Sequence, residues 1–230
     1  MPNPENHLLA LLGRNERQRL ISRGEYLPLT LSAVMAEQQV RTRYVYFPVE
    51  GFASLVIEVD GRPGLEVGMV GREGMLGAEL MLGQTLAPWR SVVQGAGTAW
   101  RMKAGVFQQT LATSPALHRL VGRYLAFRVE QLTLASACER FHEISPRLVR
   151  WLLMSQDRAQ SNTFHVTHEF LAFMLGVRRV GVTVAASELQ RMGLIVYKRG
   201  DITVLDREGL LARACSCYET NTHSYERLVY

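Results

Sequence analysis

The stretch Thr167-His168-Glu169-Phe170-Leu171-Ala172-Phe173-Met174-Leu175-Gly176-Val177-Arg178-Arg179-Val180-Gly181-Val182-Thr183-Val184-Ala185-Ala186-Ser187-Glu188-Leu189-Gln190-Arg191-Met192-Gly193-Leu194-Ile195 holds two helical patterns joined at a glycine. Thr167 suits a helix N-cap, and Glu169 in the first turn suits the positive end of the helix dipole. Leu171, Met174 and Leu175 give that helix an apolar face, and Gly176 supplies the left-handed residue that ends it. A second helix is expected from about Arg178 to Met192. Val182, Ala185, Ala186 and Leu189 fall at spacings that pack on the first helix, and the two alanines permit close approach. Arg178, Arg179, Val180, Gly181, Thr183, Val184 and Ser187 are left on the outer side.

The next residues complete a unit. Leu194–Lys198 and Asp201–Leu205 read as two short strands joined by Arg199-Gly200, a hairpin with a basic tip. A helix-turn-helix joined directly to such a hairpin is a winged helix. Arg178 and Arg179 could bind phosphate or take guanine O6 and N7 bidentately, and exposed Val180 and Val184 could meet thymine methyl groups. Lys198 and Arg199 would reach phosphates beside the groove. Thr167, Thr183 and Ser187 are expected at the DNA as well; His165 and His168 flank the first helix, where His168 could touch phosphate, although an ordinary surface histidine is an equal reading.

Upstream, Leu117, Leu120, Tyr124, Phe127, Gln131, Leu134, Cys138 and Phe141 recur at spacings of 3 and 4. This heptad seam, held for about 25 residues or roughly 37 Å, is expected to meet a partner helix. Val121, Leu125 and Leu132 broaden the apolar surface, so another face should pack within the chain. Ser145-Pro146 reads as the start of a further helix, anchored by Trp151, and Phe141–Ile144 as a hinge.

Before Ser114, the pattern is β-rich. Eleven of the 19 glycines lie between Gly51 and Gly105, separating Arg43–Phe47, Ser54–Val59, Leu65–Val70, Ser91–Gln94 and Ala99–Met102. Many short strands with tight turns predict a small barrel or jelly roll. Leu8–Leu12 and Glu16–Ile21 read as short helices leading into it. The expected class is therefore α+β. It comprises an N-terminal domain of residues 1–142, with its dimer helix at about 115–142, and a winged helix-turn-helix domain of residues 143–230.

The chain of 230 residues is long enough for two cores, and its formal charge of +5 permits a polyanionic partner without demanding one. The charge becomes local only between Arg178 and Arg199, where four arginines and Lys198 face a single Glu188. Three cysteines, an odd number, argue against a disulfide framework and for a reducing compartment. Leu8–Leu12 is too short for a signal peptide or a membrane span, so a cytoplasmic protein without a membrane partner is expected.

The run Thr167–Ile195, with Tyr197-Lys198-Arg199-Gly200-Asp201-Ile202 and Asp206, resembles the cyclic-AMP receptor protein and Fnr (Crp/Fnr) family of transcription regulators. The resemblance extends along nearly all of the chain. It implies a cyclic-nucleotide-binding-like β-roll, a long dimerisation helix, a hinge and a C-terminal winged helix. It also implies a homodimer on a pseudo-palindromic double-stranded DNA operator, with RNA polymerase as a further partner if the protein activates. Arg179 falls where family members place a guanine-reading arginine. Val180 and Val184 replace an acidic and a basic reader of the best-known nucleotide-responsive member, so a different operator is expected. The family's phosphate cassette carries Gly-Glu, a loop and Arg-Ser. Here the matching residues are Gly77, Glu79, Arg90 and Ser91, with Glu79 displaced by one position. A strand would turn it to the opposite face. The four are candidate effector-binding residues, while Gly77, Glu79 and Arg90 are expected rather to serve the roll's turns and surface than a cyclic nucleotide. A cyclic-AMP-gated activator and a metabolite-sensing module whose winged helix binds protein stay open as alternatives.

Cys138 and His142 share a helix face, but two ligands are not a metal site, and Cys215-Ser216-Cys217 lacks zinc-knuckle spacing. Cys138 at a seam could instead form an interchain disulfide. Three cysteines also fall short of the four that hold the iron–sulfur cluster of the Fnr branch. No metal is assigned. No nucleophile–base pair or phosphate-binding loop appears, so no catalytic residue and no enzyme activity are expected.

Overall fold

The computed structural model describes residues 5–61 and 64–229. Two short helices, α1 (His7–Ala10) and α2 (Arg14–Ile21), precede an antiparallel five-stranded sheet. Its strands are β1 (Glu25–Leu29), β2 (Val34–Ala36), β3 (Tyr44–Ile57), β4 (Leu65–Val70) and β5 (Arg90–Lys103), in the order β1-β5-β3-β4 with β2 also on β5. The sequence pattern suggests four separate runs where the molecule has two 14-residue strands, β3 and β5. The interruptions are bulges, with register shifts between Pro48 and Ala53. Gly51 there has φ +72°, and a Cβ on Gly97 would lie 2.1 Å from the Glu50 carbonyl oxygen. Glycine interrupts the apolar pattern because the two backbones cross too closely for a side chain.

Helix α3 (Ala104–Thr113) leads to α4 (Pro115–Phe141), which starts where Ser114 caps it: its hydroxyl accepts from the Leu117 amide, and Pro115 takes the first turn. One expectation about α4 is overturned. Leu117, Leu120, Tyr124, Phe127, Gln131 and Cys138 are buried against their own chain, and only Phe141, 77% exposed, stands free at the end of that seam. The large side chains fill the core with Phe47, Met102 and Phe107. Tyr124 donates to the Met75 carbonyl, and Gln131 donates to Asn221. The outward stripe is Gly122, Ala126, Val129, Thr133, Ser136 and Arg140, also at alternating spacings of 4 and 3. Two interleaved heptad patterns share this helix. The bulkier one stands out in the sequence, but bulk is what a core needs and small residues are what a close helix pair needs.

His142 and Glu143 separate α4 from α5 (Ile144–Ala159), which begins with Glu143 rather than Ser145 at its cap and without a side-chain cap bond. Leu148, Val149, Leu152 and Leu153 of α5 are fully buried in one core with Phe52 and Met69 of the roll and with the helices beyond. The backbone breaks at residues 142–143, but the apolar core does not. Polar ties cross the same junction. Arg158 of α5 pairs with Glu73 at 2.8 Å, both largely buried, and Trp151 Nε1 donates to Glu66 of β4 at 3.0 Å.

Glu66 carries a predictable pH signature. Its Oε2 is enclosed with no hydrogen-bond partner. Burial pushes its pKa up from 4.5 to about 7, against the opposing pull of Ser54, Arg150, Trp151 and Arg158. The folded state therefore holds a proton that the unfolded state releases, and stability falls as pH rises from 4.5 towards 7. Glu66→Gln keeps an acceptor for Trp151 and removes this cost. It should stabilise by about 3 kcal/mol above the window and by nothing below it, as read by denaturant unfolding across pH.

The C-terminal part has a three-stranded sheet in the order β6-β8-β7, made of β6 (Thr163–His165), β7 (Ile195–Lys198) and β8 (Asp201–Val204). It packs with α6 (His168–Leu175), α7 (Arg179–Arg191) and α8 (Arg207–Leu211). A last helix, α9 (Cys217–Val229), runs back along α4, where Tyr225 packs edge-on to Phe127 and Arg227 pairs with Glu130. No single helix among the described residues is long and apolar enough to cross a membrane.

Candidate nucleic-acid interface

Helices α6 and α7 meet at 113° across Gly176, which has φ +61° and closes α6 by bonding back to Ala172 and Phe173. That angle lies within the usual helix-turn-helix range. Thr167 caps α6 by accepting from the Phe170 amide at 3.1 Å. Val182, Ala185, Ala186 and Leu189 are buried against it. Arg178 takes the N-cap position of α7 without making a cap bond, so its side chain stays on the surface.

The opposite face of α7 is open. Arg178, Arg179, Thr183 and Ser187 are exposed, while Val180 and Val184 are 66% and 64% exposed. Two valines flanked by arginines stay exposed on this helix, without cover from the described residues. A solvated surface gives no reason for them, whereas a major groove offers methyl groups and phosphates together. Gly181 is the exception on this helix: it packs on Ile144, and a Cβ there would lie 2.6 Å from Ile144 Cδ1. The start of α7 therefore rests on the first residue of α5.

The hairpin β7–β8 turns at Arg199 (φ +54°) and Gly200 (φ +89°), two consecutive left-handed residues of the kind a two-residue hairpin turn needs. Lys198 and Arg199 are exposed at this tip. The sheet's third strand, β6, is absent from the sequence reading, being only three residues long; its His165 pairs with Asp201 at 2.9 Å.

His168, expected near phosphate, also has partners within the fold. Its ring stacks on Tyr197 at 4.1 Å, and Nδ1 lies 3.1 Å from Thr183 Oγ1, which itself donates to the Arg179 carbonyl. Burial, then the nearby charge of Arg179, holds the imidazole pKa below its ordinary value, so the ring is neutral at neutral pH. It braces α7 against the wing.

The turn is also tied to the helix junction. Buried Arg147 of α5 donates to Glu139 of α4 and to the Leu175 carbonyl at the end of α6.

The four cassette-like residues do not enclose a ligand-sized space. Gly77 (φ +85°) caps the short 3-10 helix Ala78–Leu82, which carries Glu79, and Arg90 pairs outward with Glu37 at 3.2 Å. Gly77, Glu79 and Ser91 line a cleft with Met35, Tyr44, Tyr46 and Trp89 of only about 10 Å³, room for about one water molecule. Trp89 lies under the guanidinium of Arg128, which comes from α4. Burial raises the Glu79 pKa, against the opposing effects of a backbone hydrogen bond and Arg128.

The remaining group singled out in the sequence is brought together where no site was assigned. Cys138, His142, Cys215 and Cys217 converge at the junction of α4 with α9, their ligand atoms all within 4.8 Å of one another. The spacing of Cys215 and Cys217 gave no sign of this, because the other two ligands come from a helix more than 70 residues earlier.

Residues 146–213 match the model of the Crp-like helix-turn-helix domain. No curated protein matches the sequence. Among solved structures, the chain is similar to a Crp/Fnr-family regulator from Eubacterium rectale, at 16% identity and a TM-score of 0.69 over 90% of this chain and 96% of that one. It is similar also to the c-di-GMP-responsive global regulator CLP of Xanthomonas campestris, at 17% identity and 0.67, over 84% and 100%. A Crp/Fnr regulator of Thermus thermophilus matches at 20% identity and 0.65, over 83% and 98%. These are transcription regulators, not enzymes, and they share this fold along almost their whole length.

Proposed function

We propose, for a chain with the Crp/Fnr fold and a Crp-like helix-turn-helix domain at residues 146–213, that it is a sequence-specific DNA-binding transcription regulator acting as a homodimer. The observation that carries this reading is the outer face of α7, where Arg178, Arg179, Val180, Thr183, Val184 and Ser187 stand exposed beside the Lys198–Arg199 wing tip. The helix enters the major groove, with its arginines on guanine edges or phosphates and its valines on thymine methyls. The second copy packs on the stripe from Gly122 to Arg140, and the two α7 helices read half-sites one helical turn, about 34 Å, apart. An operator read this way is a pseudo-palindrome, and an activator would also engage RNA polymerase.

Regulation would act at the α4–α5 junction, because Arg147, Ile144 and Glu139 connect it to the turn of the helix-turn-helix. An effector must then bind two arrangements of that junction with different affinity. Cyclic AMP is not favoured as that effector, since its cassette positions flank a cleft of water size.

The test is the salt dependence of binding to duplex DNA. A DNA reader contacting several phosphates loses roughly 10³-fold or more in affinity between 50 and 200 mM salt. Absence of duplex binding at the lower salt would favour a winged helix that binds protein.

A further inference from the structure

The thiols of Cys138, Cys215 and Cys217 are all buried and unpaired by disulfides. The Cys138 and Cys215 sulfurs lie 3.6 Å apart, and the Cys217 sulfur lies 3.6 Å from His142 Nδ1. A sulfur–sulfur bond needs about 2.05 Å, so this is not a disulfide geometry. The edge of a tetrahedron with metal–sulfur arms of about 2.3 Å is roughly 3.8 Å. Three sulfurs and an imidazole nitrogen, mutually within 4.8 Å, therefore have the spacing of four donors around one centre. The spacing is too tight for a multi-iron cluster, whose cysteines bind separate metal atoms. It fits one ion.

We propose that Cys138, His142, Cys215 and Cys217 form a closed, four-coordinate Cys3His site for a single Zn²⁺. Coordination replaces three S–H bonds by three Zn–S bonds and releases three protons to solvent, while neutral imidazole gives its lone pair. The bound group carries a net charge of −1. Arg147 and Arg150 of α5 lie close enough for their charges to act on these cysteines, and they supply the counter-charge. Small soft ligands from two distant segments are brought together, with Leu134 packed beside them.

The position gives the ion a structural role. Cys138 lies in the last turn of α4, His142 is the C-cap between α4 and α5, and Cys215 and Cys217 lead into α9. Zinc would pin the junction that carries the DNA-binding unit to the helix returning along α4. All four protein ligands are present in one chain, which leaves no open position for substrate or water.

The experiment is metal analysis of the full-length protein, purified under reducing, chelator-free conditions and supplied with Zn²⁺, followed by Co²⁺ substitution. The expected result is about one zinc per chain, with Co²⁺ giving tetrahedral d–d bands and thiolate charge transfer. Cys217→Ser and His142→Ala should each lower the retained metal at least about tenfold. Should either variant fail to fold, the unaltered protein still decides: its three thiols should resist alkylation until a chelator is added. Folded wild-type protein that retains no zinc and shows no tetrahedral cobalt spectrum would overturn the assignment. So would an iron–sulfur chromophore, or a Cys138–Cys215 disulfide formed under reducing conditions. Metal content is independent of DNA binding, so either reading can fail alone.

Discussion

A Val129→Glu variant is expected to sediment as a monomer at concentrations where the unaltered chain is a dimer. Val129 lies midway along the outward stripe of α4 and is 63% exposed in the single chain, where no described residue covers it. In a two-fold pair the substitution places two carboxylates across one seam, each stripped of water and facing its like. Dimerisation should weaken roughly 100-fold or more, equivalent to about 3 kcal/mol. The fold should be intact, because the face buried in the chain is the other one, carrying Leu120, Tyr124 and Phe127. Tyr124→Ala makes the contrast: it removes a fully buried ring and should cost about 3–5 kcal/mol of folding stability, with dimerisation affected only through unfolding. Sedimentation and denaturant unfolding of both variants separate the two faces of one helix.

The second large effect concerns sequence reading. Arg178→Ala and Arg179→Ala should each lower affinity for a specific site by roughly 10- to 100-fold, the range for a good bidentate base contact. Where the arginine reads a base, the loss is confined to particular positions of the site. Where it holds phosphate, affinity falls evenly over all sequences and the salt slope drops by about one. Neither substitution should change stability, since both side chains are exposed. His168→Ala should behave otherwise. By removing the stack on Tyr197 and the bond to Thr183 it loosens α7 against the wing, so its effect should fall on all sites alike.

Much of this architecture was legible because its signals are local. Gly176 and the turn at Arg199-Gly200 need left-handed backbone, and the apolar periodicity of α6 and α7 spans two complete faces. The parts that escaped the sequence depend on distant partners. Strand β6 is only three residues long and is placed by β8, and helix α9 takes its place from its contacts with α4. The α4 seam was misassigned for the same reason: periodicity shows that a face is apolar but not which surface covers it. The Cys3His cluster is the extreme case, a pair at i and i+4 and a pair at i and i+2 that acquire meaning only when α9 folds back. Gly77, Glu79, Arg90 and Ser91 keep the form of a ligand site, but Trp89, Tyr44 and Tyr46 occupy the volume.

Selection from a random pool of double-stranded DNA, using the purified protein without added ligand, tests the central claim most directly. The expected result is a two-fold symmetric sequence whose half-sites are one helical turn apart, with its information concentrated where α7 meets the groove. A recovered site without symmetry, or a pool left unenriched with and without cyclic nucleotides, would contradict a dimeric reader of DNA.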